Sequence, residues 1–314
     1  MAANEKAPIP ATAYDEHSPA MMEALQSKGY FTREISGGIH LVTEGWYHML
    51  VIPTDEGTVV IDAPPTISPD FFTGQNIMKA VGDITDTPIS HVIYTHHHTD
   101  HIGAAGVYPD GVKIIAQEET AALLKDVNDP NRPLPTETFK DKLRLTVGGQ
   151  TLELEYRGNI HCNGNTFIYA PDQKILMVID VIFPGWVPFS SLAMASDMRG
   201  FLRGHDEVLS YNFDTLVSGH LTRLGNRDDV ELQKEYFQDI QQSAMKFLQS
   251  VDFMAIGQEV GFENAWNLFD TYLNTVADKV TGEVTPKWLG KLAAADVFTR
   301  SHAWEIVERL RIDA

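Results

Sequence analysis

The apolar residues of the chain follow two different spacings. Through the first two thirds they come mainly in short β-branched or alternating runs, separated in places by turn sequences such as DEG and PDQ. Runs of this kind are typical of strands. They occupy residues 39–45, 47–55, 57–63, 89–95, 111–117, 215–219 and four stretches between 142 and 180. From Asp228 to the end the apolar residues recur at helical spacing, which predicts a helical C-terminal region.

Helices are also predicted between the strands. Residues 18–29 combine a helix start signal with a glycine stop, and residues 68–84 are amphipathic with Ser68 as N-cap. Further helices are expected directly after residue 117 and near 197–211. We expect residues 1–13, rich in Pro and Ala, to form a loose arm. The proline-rich stretch 128–138 is expected to be a loop that lines or covers something.

Strand-rich segments that alternate with helices favour two sheets with helices packed outside them. With 314 residues the chain is long enough for one large domain or two ordinary ones. We divide it into an N-terminal arm and helix (1–30), a core (31–230) and a helical C-terminal extension packed on the core (231–314). The fold class is therefore α/β.

Composition excludes several classes of function. The formal net charge is −19, from 43 acidic and 24 basic side chains, and this opposes binding to nucleic acid phosphates. A single cysteine, Cys162, excludes an intrachain disulfide and any zinc site built from several cysteines. No apolar run reaches the ~18 residues of a membrane span. The N-terminus has no signal pattern, which favours a cytoplasmic protein, and an exported protein with a processed N-terminus stays open.

The strand at 89–95 leads into an unusual cluster, YTHHHTDHIGAAG at residues 94–106. Imidazole and carboxylate groups are ligands of divalent transition metals. On a tight loop His96 and His98 are placed to serve one ion, while Asp100 and His101 turn toward a second. His97 faces the other way and is expected to be structural or exposed. The cluster predicts a metal site.

Such a site needs ligands from elsewhere in the chain. His161, Asp180 and His220 each follow an apolar run that should be a buried strand. Strand ends meet at one edge of a sheet, so we expect these side chains to approach the cluster. The remaining histidines without this context are expected to be structural; they are His17, His40, His91, His205 and His302.

The cluster HHHTDH fits the His-x-His-x-Asp-His motif, and the chain from about residue 35 to 230 resembles the metallo-β-lactamase superfamily of hydrolases. The resemblance implies an αββα sandwich. It also implies that His96, His98 and His161 hold one metal, that Asp100, His101 and His220 hold the other, and that Asp180 bridges both. Asp62 lies where this family often has a carboxylate that orients a ligand imidazole. Two divalent ions are implied, with zinc expected and manganese or iron as alternatives.

The branch of the family depends on Asp180. Family β-lactamases carry cysteine or no metal ligand there, and flavin-linked diiron members usually carry a carboxylate where this chain has His98. HCNGN at 161–165 departs from the common His-Thr-Pro-Gly-His stretch. The resemblance therefore favours a binuclear hydrolase similar to glyoxalase II, lactonases and thioesterases. In such an enzyme a metal-bridging hydroxide attacks an ester, thioester, lactone or amide carbonyl, with Asp100 as the catalytic proton carrier. A β-lactamase and an iron-dependent, non-hydrolytic dioxygenase are the alternatives.

Aromatic side chains near the ligands predict a pocket for a small-molecule substrate. They come from GWYH (45–48) and from VIFPGWVPF (181–189), which follows Asp180 directly. The candidates are Trp46, Tyr47, His48, Phe183, Trp186 and Phe189. Arg223 is a further candidate for meeting a substrate carboxylate, and Cys162 is interpreted as a small buried residue. The C-terminal helices are expected to cover the cleft or to form a homodimer contact.

Overall fold

The structure is a computed structural model that describes residues 6–67, 74–221 and 223–313. Within these ranges the strands form a seven-stranded sheet, in the order β1 to β7, and a five-stranded sheet, in the order β12-β11-β10-β9-β8. The first sheet consists of β1 (Phe31–Ser36), β2 (Ile39–Thr43), β3 (His48–Ile52), β4 (Thr58–Ile61), β5 (Ile89–Ile93), β6 (Lys113–Gln117) and β7 (Glu137–Phe139). The second consists of β8 (Lys142–Val147), β9 (Gln150–Tyr156), β10 (Thr166–Ala170), β11 (Ile175–Met177) and β12 (Thr215–Val217).

Helices lie outside both sheets and fill the C-terminal region. The first six are α1 (Ser18–Lys28), α2 (Ile77–Ile84), α3 (Thr99–Ile102), α4 (Glu118–Val127), α5 (Ser190–Met194) and α6 (Met198–Leu209). The C-terminal four are α7 (Arg227–Ser250), α8 (Phe253–Val260), α9 (Ala265–Trp288) and α10 (Ala295–Asp313). Among the described residues, none of these helices is long and apolar enough to cross a membrane.

The apolar pattern of the strands explains the layers. In β3, Leu50 and Ile52 join the core between the two sheets, while Met49 and Val51 join a second core on the outer face. Since successive side chains point to opposite faces, a strand that is apolar throughout must be covered on both sides. The outer core of the first sheet includes Ile77 of α2. The second sheet packs outward against α6 in the same way. The result is the expected αββα sandwich.

The C-terminal helices share one core with the end of the sandwich. Apolar residues of α7, α9 and α10 pack with Phe183, Val187, Leu192 and Phe201. The helical part begins at Arg227, slightly before the predicted division at residue 231. The division into a core and an extension stays a prediction. What the contacts do show is that the extension packs directly on the segment that follows Asp180.

Among the helices of the described residues, the turn α5 is distinguished by a left-handed backbone. Ser191, Leu192, Ala193 and Met194 have φ values of 52°, 60°, 54° and 58°. None of them is glycine, and a left-handed conformation costs such residues roughly 1–2 kcal/mol each. Contacts from the rest of the protein must therefore hold this turn in place.

The structure corrects the sequence interpretation at the margins of elements. Strand β1 was not predicted, and β7 begins inside the expected loop 128–138. Residues 6–13 are not a loose arm: Ala13 is fully buried, and the amide of Ala7 donates to Asp296 Oδ2 at 2.8 Å. The expected helix start at Ser68 lies outside the described residues. The prolines of the loop 128–138 argued against a strand there. The contact between the N-terminal residues and α10 joins segments that are far apart in sequence, so no local pattern could predict it.

Candidate metal centre and substrate cavity

All the predicted ligands lie at one edge of the sandwich. The loop after β5 carries His96 and His98, and the short helix α3 turns Asp100 and His101 back toward them. His161 lies between β9 and β10. Asp180 and His220 follow β11 and β12, which are neighbouring parallel strands. Their side chains therefore meet although they are far apart in sequence.

Close approach of the last ligand requires glycine at one position. Gly219 has a φ of 91°, and a Cβ there would lie 2.7 Å from Ile179 Cγ2 and 3.1 Å from His101 Cε1. The missing side chain lets His220 come next to His101, with their Nε2 atoms 3.1 Å apart. Glycine at position 219, directly before His220, is thus required by the packing of the site.

Asp180 is the centre of the arrangement, and its two oxygens face different partners. Oδ2 lies 3.3 Å from Nε2 of His96 and 3.3 Å from Nε2 of His161. Oδ1 lies 2.7 Å from Nε2 of His220 and 3.4 Å from Nε2 of His101. One carboxylate therefore faces two groups of ligand atoms, as the bridging position requires.

Two further ligands complete these groups. His98 Nδ1 lies 3.1 Å from His161 Nε2, which places it with His96 and His161 in what we call the first ligand group. Asp100 Oδ2 lies 3.4 Å from Nε2 of His101 and 3.7 Å from Nε2 of His220, and these three form the second ligand group. The resemblance assigned the same residues to two metals.

The atoms of the site fit divalent cations and not a hydrogen-bond network. Within the described residues, His96 Nε2 and Asp180 Oδ1 are buried and make no hydrogen bond. Even the 2.7 Å approach of His220 Nε2 to Asp180 Oδ1 lacks hydrogen-bond geometry. Buried polar atoms without partners are costly, and a cation between them removes that cost.

Electrostatics supports the same fit. Burial lowers the pKa of His98 to about 2 and that of His161 to about 4, so both imidazoles stay neutral, the form that binds metal. In the second ligand group burial opposes protonation of His101, yet Asp180 and Asp100 raise its pKa well above the usual value. Burial would raise the pKa of Asp180, but the charge of the nearby His101 lowers it well below its usual range. Metal binding there displaces a proton.

Asp62 acts on the first ligand group through Thr95, a residue that the sequence did not single out. Asp62 Oδ1 accepts from the Thr95 amide at 2.8 Å, and Oδ2 accepts from the Thr95 hydroxyl at 2.7 Å. The hydroxyl oxygen lies 3.1 Å from His96 Nδ1. Since its only proton is donated to Asp62, this oxygen accepts from Nδ1–H of His96. The Nε2 lone pair of His96 is then directed at Asp180 and the metal position.

This chain of hydrogen bonds gives a first prediction. Asp62→Asn keeps the size of the side chain and tolerates the left-handed φ of 66°. However, its amide nitrogen cannot accept from the Thr95 hydroxyl, which then donates to His96 Nδ1 and favours the wrong tautomer. We expect zinc to bind the first ligand group roughly 10–100-fold more weakly, measured by competition with a chelator. Asp214→Asn, at an exposed ion pair with Lys174, is the control. If the zinc affinity is unchanged in Asp62→Asn, Asp62 does not orient His96 for metal binding.

Cys162 and His97 lie closer to the centre than the sequence indicated. Cys162 is buried, as expected, but its sulfur is also within 4.8 Å of the ligand atoms of His96, His98 and His161. It lies 3.8 Å from His97 Nδ1. His97 is half-buried, and its carbonyl accepts from Arg132 Nη1 at 2.7 Å. The pair supports the loop that presents His96 and His98.

A cavity of about 760 Å3 opens over the ligands. Most of the aromatic residues predicted for a pocket line it, together with ligands from both groups. The predicted residues on its wall are Trp46, Tyr47, Phe183, Trp186 and Phe189. Tyr47 packs edge-on against the rings of His101 and His220, and Phe183 stacks on His220 with ring centroids 5.6 Å apart.

Two predicted contacts with substrate are wrong. His48 is buried beneath the cavity wall, where Nε2 lies 3.0 Å from the carbonyl oxygen of Leu221 and its amide donates to Gly219. It supports the His220 loop because it lies on β3 and faces away from the cavity. Arg223 is bound to both carboxylate oxygens of Asp229, near the start of α7, and is not available to substrate.

Other wall residues were missed. Arg132 comes from the proline-rich loop, whose composition was the available signal, and lies on the cavity wall. Met194 belongs to the left-handed turn, and Ala294 and Phe298 belong to the C-terminal helical part. No local pattern distinguishes these apolar residues from ordinary core positions.

Comparison with known proteins identifies distant relatives of the chain. The chain is 28% identical over 207 residues to the alpha subunit of 2,4-dinitroanisole O-demethylase from Nocardioides sp. (strain JS1661), a match that covers 64% of this chain and 61% of that subunit. The beta subunit of the same enzyme is 22% identical over 215 residues, covering 64% of this chain and 62% of the subunit. More than a third of each subunit's length is thus left outside the match.

Among solved structures, a metallo-beta-lactamase from Pontibacter korlensis superimposes with a TM-score of 0.56 and 22% sequence identity. The superposition covers 66% of this chain and 97% of the Pontibacter chain. Identity at that level shows a common fold. The profile of the metallo-beta-lactamase superfamily matches residues 47–220, a span of more than half of the chain that runs from the cavity tyrosine to the last ligand. The chain belongs to the metallo-beta-lactamase superfamily.

Proposed function

We propose that the protein is a binuclear metal-dependent hydrolase that attacks a carbonyl group of a small molecule, in an ester, thioester, lactone or amide. The observation that carries this proposal is the position of Asp180. Its two oxygens face two separate ligand groups directly beneath an apolar cavity. Zinc is the proposed metal, because the donors are mainly imidazole with carboxylate, and manganese and iron are the alternatives.

The two ligand groups would each hold a divalent cation, and the chemistry supplied by the pair would be a water of lowered pKa and polarisation of the substrate carbonyl. The remaining work falls to the chain itself. Asp100 lies on the cavity wall, and its pKa is lowered despite burial because of His101. It is therefore ionised at neutral pH, and its carboxylate orients the attacking water and accepts its proton.

Tyr47 is placed to assist. Burial, together with the charges of Asp100 and Asp180, raises the pKa of its hydroxyl to about 12. The hydroxyl thus keeps its proton at neutral pH and serves as a hydrogen-bond donor toward a substrate in the cavity. Trp46, Trp186 and Phe189 supply an apolar surface for the rest of the molecule.

A second candidate is cleavage of an aryl ether. The observation that favours it is the aromatic cavity wall, together with similarity to both subunits of an enzyme named for O-demethylation of 2,4-dinitroanisole. The same hydrolytic machinery would then displace an alkoxide from an activated ring. A β-lactamase and an iron-dependent dioxygenase remain the alternatives from other branches of the family.

One experiment separates these candidates. Protein reconstituted with zinc and protein loaded with iron are tested on activated esters, a thioester, a lactone, a β-lactam and 2,4-dinitroanisole, alongside metal analysis. We expect the zinc protein to be most active on an ester, the thioester or the lactone. Activity only on the β-lactam or only on the ether would replace the proposal by the corresponding alternative. Oxygen consumption by the iron form without hydrolysis would favour a dioxygenase.

The proposed partners are a small-molecule substrate and a second copy of this chain. Both the alpha and the beta subunit of the O-demethylase resemble this chain, which supports an assembly of similar chains. Light scattering coupled to gel filtration tests this point. A mass near 35.0 kDa at micromolar concentration would contradict the homodimer.

A further inference from the structure

The cavity is closed on one side by residues that lie outside the region matched to the superfamily. Residues 47–220 carry the ligands, whereas Ala294 and Phe298 come from the C-terminal helical part. The Val187 amide donates to the Ala293 carbonyl at 3.0 Å, and the Ala293 amide donates to Gly185 at 2.9 Å. Trp186 and Ala293 thus pair like residues of parallel strands. The C-terminal part is joined to the loop that follows Asp180.

The left-handed turn α5 is held by the same part of the chain. The Ser191 amide donates to Ser301 Oγ at 3.1 Å, and the Leu192 amide donates to His302 Nδ1 at 3.0 Å. Because His302 Nδ1 accepts, its proton is on Nε2, which donates to the Pro188 carbonyl at 3.0 Å. A single neutral imidazole therefore connects both ends of residues 188–192.

His302 is suited to this role, and in the described part of the chain its hydrogen bonds and ring contacts are to Leu192, Pro188, Tyr236 and Phe237. It is completely buried in α10, among the aromatic rings of Tyr236 and Phe237. Burial lowers its pKa to about 3, so the neutral form that makes both hydrogen bonds persists at any pH near neutrality. The sequence had placed His302 among the histidines without a function.

The turn and α10 together form an apolar corner of the cavity. Phe189, 55% exposed, packs on Phe298 with ring centroids 5.1 Å apart. Met194, 70% exposed, is presented by the left-handed backbone, which buries Leu192 beside it. Exposed apolar side chains around a cavity favour an apolar ligand.

We propose that Phe189, Met194 and Phe298 form a subsite for the hydrocarbon group of the substrate, and that His302 is the residue that positions it. This inference rests on the proposed function and specifies the class of substrate. The substrate is a molecule whose cleavable bond is attached to a medium-length alkyl chain or to a hydrocarbon ring. The ligand groups position the reacting bond, and the C-terminal part selects what is attached to it.

The test compares p-nitrophenyl decanoate with p-nitrophenyl acetate. Only the long acyl chain of the decanoate is expected to contact Phe298. We therefore expect Phe298→Ala to lower the decanoate-to-acetate ratio of kcat/KM about tenfold. Zinc content should stay at the wild-type value. Phe262→Ala, a phenylalanine of the C-terminal helical part outside the cavity wall, is the control and should keep the ratio. An unchanged ratio in Phe298→Ala would overturn the subsite.

A binding measurement separates this inference from the proposed function. In metal-free protein, calorimetry with 1-octanol should show a dissociation constant about tenfold higher for Phe298→Ala than for wild type. If octanol binds wild type in this way but no substrate is hydrolysed, the subsite stands and the proposed function fails. If esters are cleaved but octanol binding and chain-length selectivity ignore Phe298, the function stands and the subsite fails.

The positioning role is tested with His302→Asn and Ser301→Ala. Asparagine retains an acceptor for the Leu192 amide and loses the donor to Pro188. Ser301→Ala removes the acceptor for the Ser191 amide, together with the hydrogen bond that the Ser301 hydroxyl donates to the Phe298 carbonyl at 2.9 Å. We expect both to reduce the decanoate-to-acetate ratio while zinc content is retained. Should His302→Asn fail to fold, Ser301→Ala still decides the point. If selectivity is unchanged in the folded variants, the hydrogen bonds of Ser301 and His302 to residues 188–192 are structural only.

Discussion

Asp180→Asn should fold, keep one metal ion and lose most of its activity. Asparagine preserves the size of the side chain and accepts the left-handed φ of 65°, so the backbone at the end of β11 is not disturbed. However, it removes the negative charge between the two ligand groups. That charge offsets the repulsion between two cations. Its loss therefore weakens binding of the second cation most.

We expect the first ligand group, with three imidazoles, to retain its ion. The ion of the second ligand group should bind far more weakly, since Asp180 Oδ1 lies only 2.7 Å from His220 Nε2. Hydrolysis should fall at least ~100-fold, because the chemistry supplied by a pair of cations needs both of them. Excess zinc should restore part of the rate.

Elemental analysis after dialysis and a zinc titration of the rate check this prediction. Asp172→Asn is a matched control in the same part of the chain, at the turn between β10 and β11 and outside the ligand groups. If Asp180→Asn retained two equivalents of zinc and near wild-type turnover, Asp180 would not bridge the metals. The grounds for placing the protein apart from the β-lactamases would then be lost.

Chelation of the wild-type protein should abolish hydrolysis and lower the melting temperature. Without cations the site leaves buried His96 Nε2 and Asp180 Oδ1 without hydrogen-bond partners. A ligand that binds only the native state stabilises it by about 4 kcal/mol when present at 1,000 times its dissociation constant. In a protein of this size the melting temperature should therefore fall by roughly 6 °C when the metal is removed.

Differential scanning calorimetry and metal analysis before and after chelation measure the effect. We expect close to two equivalents of metal per chain in the reconstituted protein, and recovery of both activity and melting temperature when zinc is returned. A reconstituted protein with well below one equivalent, or a melting temperature indifferent to chelator, would contradict the binuclear centre.

The sequence by itself determined the sandwich and the candidate ligands. His96, His98, Asp100 and His101 lie within six positions, so their mutual distances follow from a short loop and one helical turn. Strands such as β3 and β4 are apolar on both faces, and such strands are stable only between two covered layers. His161, Asp180 and His220 were identifiable because each follows an apolar run. In each case the physical cause acts over a few residues, where a sequence pattern can record it.

The tertiary structure alone decided which surface each remaining side chain faces. Thr95 connects Asp62 to His96, His48 turns away from the cavity, and Arg223 is held by Asp229. Phe298 reaches the cavity although more than seventy residues separate it from His220. The left-handed turn at 191–194 contains no glycine that would predict it, and side chains of α10 accept hydrogen bonds from two of its backbone amides. These features depend on contacts between distant segments, whose free energies appear only once the chain has packed.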